Sequence, residues 1–287
     1  MNEVHGPNDV YEVVAQSDFS VFLQRAEPFL LERETLNNLL WEVGATLDRK
    51  SSSEAWFGTV EQRGEICLAG MRSFTKYLIL SAGEVKAAGT LARRLADAGM
   101  ELRGVTGRAE TANAFADAWS EVTGATLGRV RSLKIYEWAD AEAPARKPKI
   151  RGEARRAEEA DAEIVRKWSI GFAAESVSPM DPSTLADWAE TIRQRGNLYL
   201  WVDDEPACMA CFGRKTPNGL VVNLVYTPGK RRGNGYAGAL LGELLGEAKR
   251  RGVTQCCLFS EYQGDRNLYE RLGFRKAGEF RERAFVL

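Results

Sequence analysis

The stretch Val225–Ala237, VYTPGKRRGNGYA, brings three glycines and an arginine pair to the start of a helical pattern, GALLGELLGEAKRRG. The first turn of a helix leaves its backbone N–H groups without intrahelical partners, and the helix dipole adds partial positive charge there. Gly233 and Gly235 lack a Cβ, so the backbone can turn left-handed and approach an anion closely, while Arg231 and Arg232 supply charge-assisted donors. A pyrophosphate is the guest that such a loop suits. Beyond it, Leu240, Leu241, Leu244, Leu245 and Ala248 form an apolar stripe at helical spacing, and Gly238, Gly242 and Gly246 recur every four residues. Glycine costs roughly 1 kcal/mol against alanine inside a helix, so this row implies a helix lying very close to a sheet or to a ligand.

Two phosphate-loop types compete on spacing. A P-loop needs Lys-Ser or Lys-Thr after its glycines, and none follows here. A dinucleotide-binding fingerprint needs Gly-x-Gly-x-x-Gly after the first strand of a βαβ unit. GNGYAG (Gly233, Gly235, Gly238) has that spacing, but it follows an antiparallel meander, and the acidic residue expected about 20 positions on is met only loosely by Glu261.

Arg232–Ala237 resembles the Arg/Gln-x-x-Gly-x-Gly/Ala loop of the GNAT N-acetyltransferase superfamily, and the preceding VYTP resembles that family's cofactor-facing fourth strand. Downstream, NLYERLGF (Asn267–Phe274) is similar to the family's second signature, a helix that carries a tyrosine and closes on Gly-Phe. The resemblance covers roughly Lys149–Leu287. It implies acetyl-coenzyme A as cosubstrate. Val225, Tyr226 and Thr227 would offer backbone groups to the pantetheine arm where the fourth and fifth strands splay. Arg231, Arg232, Gly233, Asn234, Gly235, Tyr236 and Ala237 would wrap the pyrophosphate. Tyr269 matches the family tyrosine that donates a proton to the thiolate, and the backbone N–H at Tyr226 would polarise the thioester carbonyl. Many members have an asparagine seven residues before the tyrosine, where this chain has Tyr262; Asn267, two before it, is the remaining cofactor-binding candidate.

Acetyl transfer to an alkyl amine, with a pKa near 10, also needs a base or a water chain. Glu261 ends the strand-like CCLFSE near the expected splay, where an apolar cleft can raise a carboxyl pKa; Tyr226 relaying through water is a further candidate. Asp203 and Asp204 read as a solvated turn. The function implied is transfer of an acetyl group from acetyl-coenzyme A to a primary amine of a small molecule or protein. A non-catalytic acyl-coenzyme A binding or sensing module and a Rossmann-type dinucleotide binder are the alternatives.

The elements that must position these residues follow from periodicity. In the C-terminal half, helical EADAEIVRKWSIGFAAES and DPSTLADWAETIRQRGN precede strand-like LYLWVDD, ACMACFGRK and LVVNLVYT, then the loop and its helix, strand-like QCCLFSE, a short helix at GDRNLYERLG and a last strand toward FVL. The N-terminal half echoes this order. Helical DVYEVVAQSDFSVFLQRA and ERETLNNLLWEVGATL lead into AWFGTVEQ, EICLAGMRS and KYLILSAG, then EVKAAGTLARRLADAG, ELRGVTG, AETANAFADAWSEV and RVRSLKIYEW. Its counterpart of the glycine loop, SAGEVKAAGTLA, has no arginine and only one glycine before the helix, so only the C-terminal half is equipped for the ligand. The expected architecture is α/β (α+β), two tandem GNAT-like domains, each a mixed, mostly antiparallel sheet flanked by helices. Residues 1–140 would form the degenerate domain, 141–156 a Pro- and charge-rich linker, and 149–287 the acetyl-coenzyme A-binding domain.

A chain of 287 residues, 44% hydrophobic and 28% charged, can bury two ordinary cores. Its 39 basic and 40 acidic residues leave a net charge of −1, with no single-sign field to hold nucleic acid or an anionic membrane. No segment approaches ~18 uninterrupted apolar residues, and the cytoplasm is the expected compartment. A monomer with an internal pseudo-dimer, or a homodimer, is expected. Cys67, Cys208, Cys211, Cys256 and Cys257 sit in apolar, strand-like runs and read as reduced core residues. Cys208 and Cys211, three apart, would face opposite sides of a strand, and the single histidine, His5, is remote from them, so no metal site is expected.

Overall fold

The computed structural model describes residues 10–49, 55–139, 150–176, 181–262 and 267–286. His5 and residues 141–149 of the expected linker lie outside them. The chain divides into two compact units, Met1–Leu133 with Gly278–Leu287, and Lys134–Ala277.

The first unit contains β1 (Glu12–Gln16), α1 (Phe19–Leu31), α2 (Asn38–Arg49), β2 (Trp56–Gln62), β3 (Glu65–Arg72), β4 (Tyr77–Leu80), α3 (Val85–Asp97), β5 (Gly104–Arg108) and α4 (Ala109–Thr123). β6 (Thr126–Ala139) passes from it into the second unit, which holds β7 (Glu153–Arg156), α5 (Ala162–Glu175), α6 (Pro182–Gln194), β8 (Leu198–Asp203), β9 (Glu205–Lys215), β10 (Gly219–Tyr226), α7 (Tyr236–Arg250), β11 (Gln255–Ser260) and α8 (Leu268–Arg271). β12 (Arg275–Val286) returns to the first unit. One element order, β-α-α-β-β-β-α-β-α-β, therefore runs twice along the chain.

Both opening strands differ from the sequence expectation. Val10–Gln16 reads as helix by pattern but forms β1, antiparallel to β2. Glu153–Arg156, placed in the linker, forms β7, antiparallel to β8. Each is a short edge strand of four or five residues, specified by the neighbour it pairs with rather than by its own periodicity. β7 is tied to the start of α5 as well, because Arg155 donates from both terminal nitrogens to Asp161 at 2.6 and 2.9 Å.

In each unit three antiparallel pairings lead to one parallel pairing, β4 with β5 and β10 with β11. The next strand is supplied from the other half of the sequence. β11 pairs antiparallel with Lys134–Ala139 of β6, and β5 pairs antiparallel with Phe280–Ala284 of β12. Units and sequence halves thus do not coincide, and the boundaries fall inside two strands rather than in the segment 141–156.

Both faces of each sheet are covered. In the first unit Leu78 and Leu80 pack toward α3 and α4, while Ile79 faces α1 and α2. In the second, Cys208, Ala210 and Phe212 face α7, and Met209 and Cys211 face α5 and α6. Strands buried on both faces read as continuous apolar runs, as CMACF does. All five cysteines are buried and none is joined in a disulfide among the described residues, and burial pushes the thiols of Cys208 and Cys256 up to about 12.

Phe285 tests the exchange of final strands. It is buried in the core of the first unit, stacked on Trp119 with ring centroids 5.9 Å apart, although it lies at the far end of the sequence. Phe285→Ala should destabilise that unit by about 3–5 kcal/mol. Native-state hydrogen exchange should show β5 amides losing protection while β11 amides keep theirs.

Candidate active site

β10 pairs with β11 only from Gly219↔Gln255 to Val221↔Cys257, yet β10 continues to Tyr226 and β11 to Ser260. The two strands part after Val221, as the resemblance implies. On its other edge β10 shifts register against β9 twice, and Leu224 adopts φ +49 within the second shift. A left-handed leucine in a strand is an outlier, and it marks the bulge that re-aims the last residues of β10. Val225 packs on the α7 side of the sheet and Tyr226 on the α5–α6 side.

From Tyr226 the chain makes a short 3-10 turn at Gly229–Arg231 and enters α7 through Gly233 and Gly235, both at φ +82. Gly235 is the N-cap of α7 and, being glycine, offers no side-chain cap to the first-turn N–H groups. Around Gly233 the space where a Cβ would stand is open. Asn234 braces the turn by donating to the carbonyls of Arg231 at 3.1 Å and Arg232 at 3.3 Å. Tyr236 donates its hydroxyl to Asp203 at 2.7 Å, while Arg231 pairs with Glu205. Asp203 and Asp204 both meet Arg151, which fits a solvated turn. Gly238 and Gly242 are buried in α7 against the sheet.

Arg232 turns back toward β10. Its Nε donates to the Thr227 carbonyl at 2.8 Å, its guanidinium lies 5.9 Å from the Tyr226 ring, and it is ion-paired with Glu175 at the end of α5. Tyr226 donates to the other Glu175 oxygen at 3.0 Å. The Arg232 hydrogen bond is the main cause that holds the Glu175 carboxyl below the usual carboxylate range. Both ends of this pair are about half exposed, so it contributes little to stability, on the order of 1 kcal/mol or less. Glu175 was not legible as a site residue, because nothing local marks a carboxylate 57 positions before its arginine.

Tyr269, on α8, packs against the same core as Val225 and Tyr236. Burial pushes its hydroxyl up to about 12, and among the described residues nothing hydrogen-bonds it. Its ring neighbours are Phe274, at 6.1 Å between centroids, and Tyr136 of β6, at 5.9 Å. Asn267 is buried with both ends of its amide engaged inside the protein: Oδ1 accepts from the Glu270 N–H at 3.0 Å and Nδ2 donates to the Tyr136 hydroxyl at 2.6 Å. Glu261 lies one residue beyond the end of β11, partly buried.

The first unit lacks the equivalent opening. At the end of β4 the Ala82 N–H is taken by the buried Asn37 side chain at 2.8 Å, and the Ser81 carbonyl accepts from Thr111. The N-cap of α3 is Glu84, whose carboxylate accepts from Tyr11. A carboxylate there places negative charge against a helix N-terminus, where α7 has only a glycine.

The segment 157–274 matches the model of the Acetyltransferase (GNAT) family. Residues 157–274 form a GNAT-family domain. Solved structures similar to the whole chain include a GCN5-related N-acetyltransferase from Sphaerobacter thermophilus, 16% identical with a TM-score of 0.61 over 96% of both chains. A Drosophila protein is 14% identical with a TM-score of 0.63 over 96% of this chain and 98% of its own. A tandem GNAT protein from the clavulanic acid biosynthesis pathway is 13% identical with a TM-score of 0.53 over the same shares. At these identities the likeness is one of fold, and the fold is the tandem GNAT arrangement. The comparison with curated proteins returned no match. The mostly antiparallel GNAT sheet replaces the doubly wound parallel sheet that the dinucleotide reading of GNGYAG required. No helix among the described residues is long and apolar enough to cross a membrane.

The loop's left-handed turns give a direct test. Gly235→Ala forces a side chain into φ +82 and should cost about 1–2 kcal/mol in denaturant melts. Gly229→Ala, where the space is open and φ is ordinary, should leave the melt unchanged.

Proposed function

We propose that the chain is an acetyl-coenzyme A-dependent N-acetyltransferase whose second unit carries the active site and whose acceptor is a primary amine of a small molecule or protein. The observation that carries this reading is the edge of β10 left by β11 after Val221, running directly into a glycine-rich loop and an uncapped helix N-terminus. Backbone groups at Val225, Tyr226 and Thr227 suit the amides of a pantetheine arm, and the N–H groups from Arg232 to Ala237 suit a pyrophosphate. The family match supports acetyl-coenzyme A as the donor.

Bound acetyl-coenzyme A supplies the acyl group as a thioester. The backbone N–H of Tyr226 polarises its carbonyl. Tyr269 delivers its hydroxyl proton to the sulfur as the carbon–sulfur bond breaks. With its hydroxyl raised to about 12, Tyr269 stays protonated throughout the neutral range, as an acid must. Glu261, at the open end of β11, takes the proton released by the amine as the carbon–nitrogen bond forms. Glu175 is the less suitable base, because Arg232 stabilises its charged form and lowers its basicity. Arg231 and Asn234 shape the loop, and Asn267 acts on the site through α8 rather than by touching the cosubstrate.

Calorimetric titration with acetyl-coenzyme A should give saturable binding that the double variant Arg232→Glu, Gly235→Asp abolishes and that NADH does not displace. Absence of binding, or preference for NADH, overturns the reading. In a thiol-release assay over an amine panel, Tyr269→Phe should lower kcat by about 10²–10⁴-fold with little change in acetyl-coenzyme A affinity. Unchanged function in Tyr269→Phe would instead mark an acyl-coenzyme A binding module. The pH profile of wild-type kcat should show no loss assignable to Tyr269 until the pH rises above about 10, since the hydroxyl ionises only near 12.

A further inference from the structure

We infer that Tyr136 is a positioning residue for Tyr269, so that a strand from the N-terminal half of the sequence sets the geometry of the proton donor; this rests on the acetyl-transfer reading above. α8 has four residues, Leu268–Arg271, too few to hold a helical turn in place by its own hydrogen bonds. Its orientation must come from what it touches. Tyr136 stands on β6 opposite Leu258 of β11 and is fully buried. Its hydroxyl accepts from Asn267 Nδ2 at 2.6 Å and donates to Glu270 Oε1 at 3.2 Å, the residues on either side of Leu268 and Tyr269. The same Asn267 caps the helix through its Oδ1. The Tyr136 ring lies 5.9 Å from the Tyr269 ring at an interplanar angle of 38°.

Three contacts thus converge on one turn of helix from a single side chain. The Tyr269 hydroxyl has no hydrogen-bond partner among the described residues, so the position of its oxygen is set by ring packing and by the placement of α8. Tyr136 governs both. Removing its hydroxyl leaves the buried Asn267 donor without its partner and frees the helix to shift. A shift well under 1 Å is enough to misalign a proton transfer.

The test is a pair of variants in two backgrounds. Tyr136→Phe keeps the ring and removes the hydroxyl; Asn267→Asp keeps the cap on Glu270 and removes the donor to Tyr136. Either should lower kcat about tenfold while the acetyl-coenzyme A dissociation constant stays within about twofold. In the Tyr269→Phe background the same substitutions should change kcat little, because the group they position is already gone. An equal proportional loss in both backgrounds, or a parallel loss of acetyl-coenzyme A binding, overturns the inference and leaves Tyr136 a core residue only. Asn267→Asp carries the test where Tyr136→Phe does not fold. If the wild-type protein transfers no acetyl group, the acetyl-transfer reading fails, and the positioning is read from hydrogen exchange instead. The Glu270 amide should exchange at least about tenfold faster in Tyr136→Phe. Unchanged protection overturns it.

Discussion

The parting of two parallel strands is the constraint from which the second unit is built. Once β11 leaves β10 after Val221, the backbone donors and acceptors on that edge have no strand to bond. Such groups are costly if buried and unpaired, so the edge must meet water, a side chain or a ligand. In the second unit it runs open into the glycine loop, with the bulge at Leu224 turning it. In the first unit β4 and β5 part in the same way after Ile79↔Thr106, and there Asn37 and Thr111 take up the freed groups. The same topological break thus leaves an open strand edge in one repeat and a closed joint in the other.

The sixth strand of each sheet follows from the same break. In each unit a further strand pairs with the fifth, and each sequence half supplies that strand to the other unit. Neither half of the chain therefore contains a complete sheet. This gives the N-terminal half of the sequence a structural role independent of any ligand: residues Lys134–Ala139 complete the second unit and bring Tyr136 and Trp138 into its core.

What could be read in the sequence was what local chemistry determines. The glycine loop, the apolar central strands and the helices between them depend on spacing within a few residues, and they appear where the pattern put them; the tyrosine helix is shorter than its pattern, Leu268–Arg271, and residues 264–266 of that pattern lie outside the described residues. The reading failed at β1 and β7, whose few residues carry no period of their own and take strand form from the partner beside them. It failed also for Glu175 and Tyr136. Glu175 meets Arg232 across 57 positions and Tyr136 meets Asn267 across 131, so each side chain gains its meaning only once the chain is folded.

The two helix N-termini show how one scaffold can be turned toward or away from an anion by few residues. α7 begins at a left-handed glycine with two arginines just before it, whereas α3 begins at Glu84, held by Tyr11. The helix dipole is the same at both ends, so the difference lies in the charge and bulk placed against it. Gly83, the one glycine of that first loop, is needed for packing rather than for a ligand, since a Cβ there would stand 2.3 Å from the Cys67 carbonyl. A phosphate site at α3 would therefore require more than exchanging Glu84 for glycine. The Asn37 side chain that satisfies the end of β4 would also have to withdraw, and with it the bond that Asn37 makes to the Leu30 carbonyl. Closure of the first cleft is thus built into the packing of α1 and α2, through buried hydrogen bonds as much as through the missing arginines.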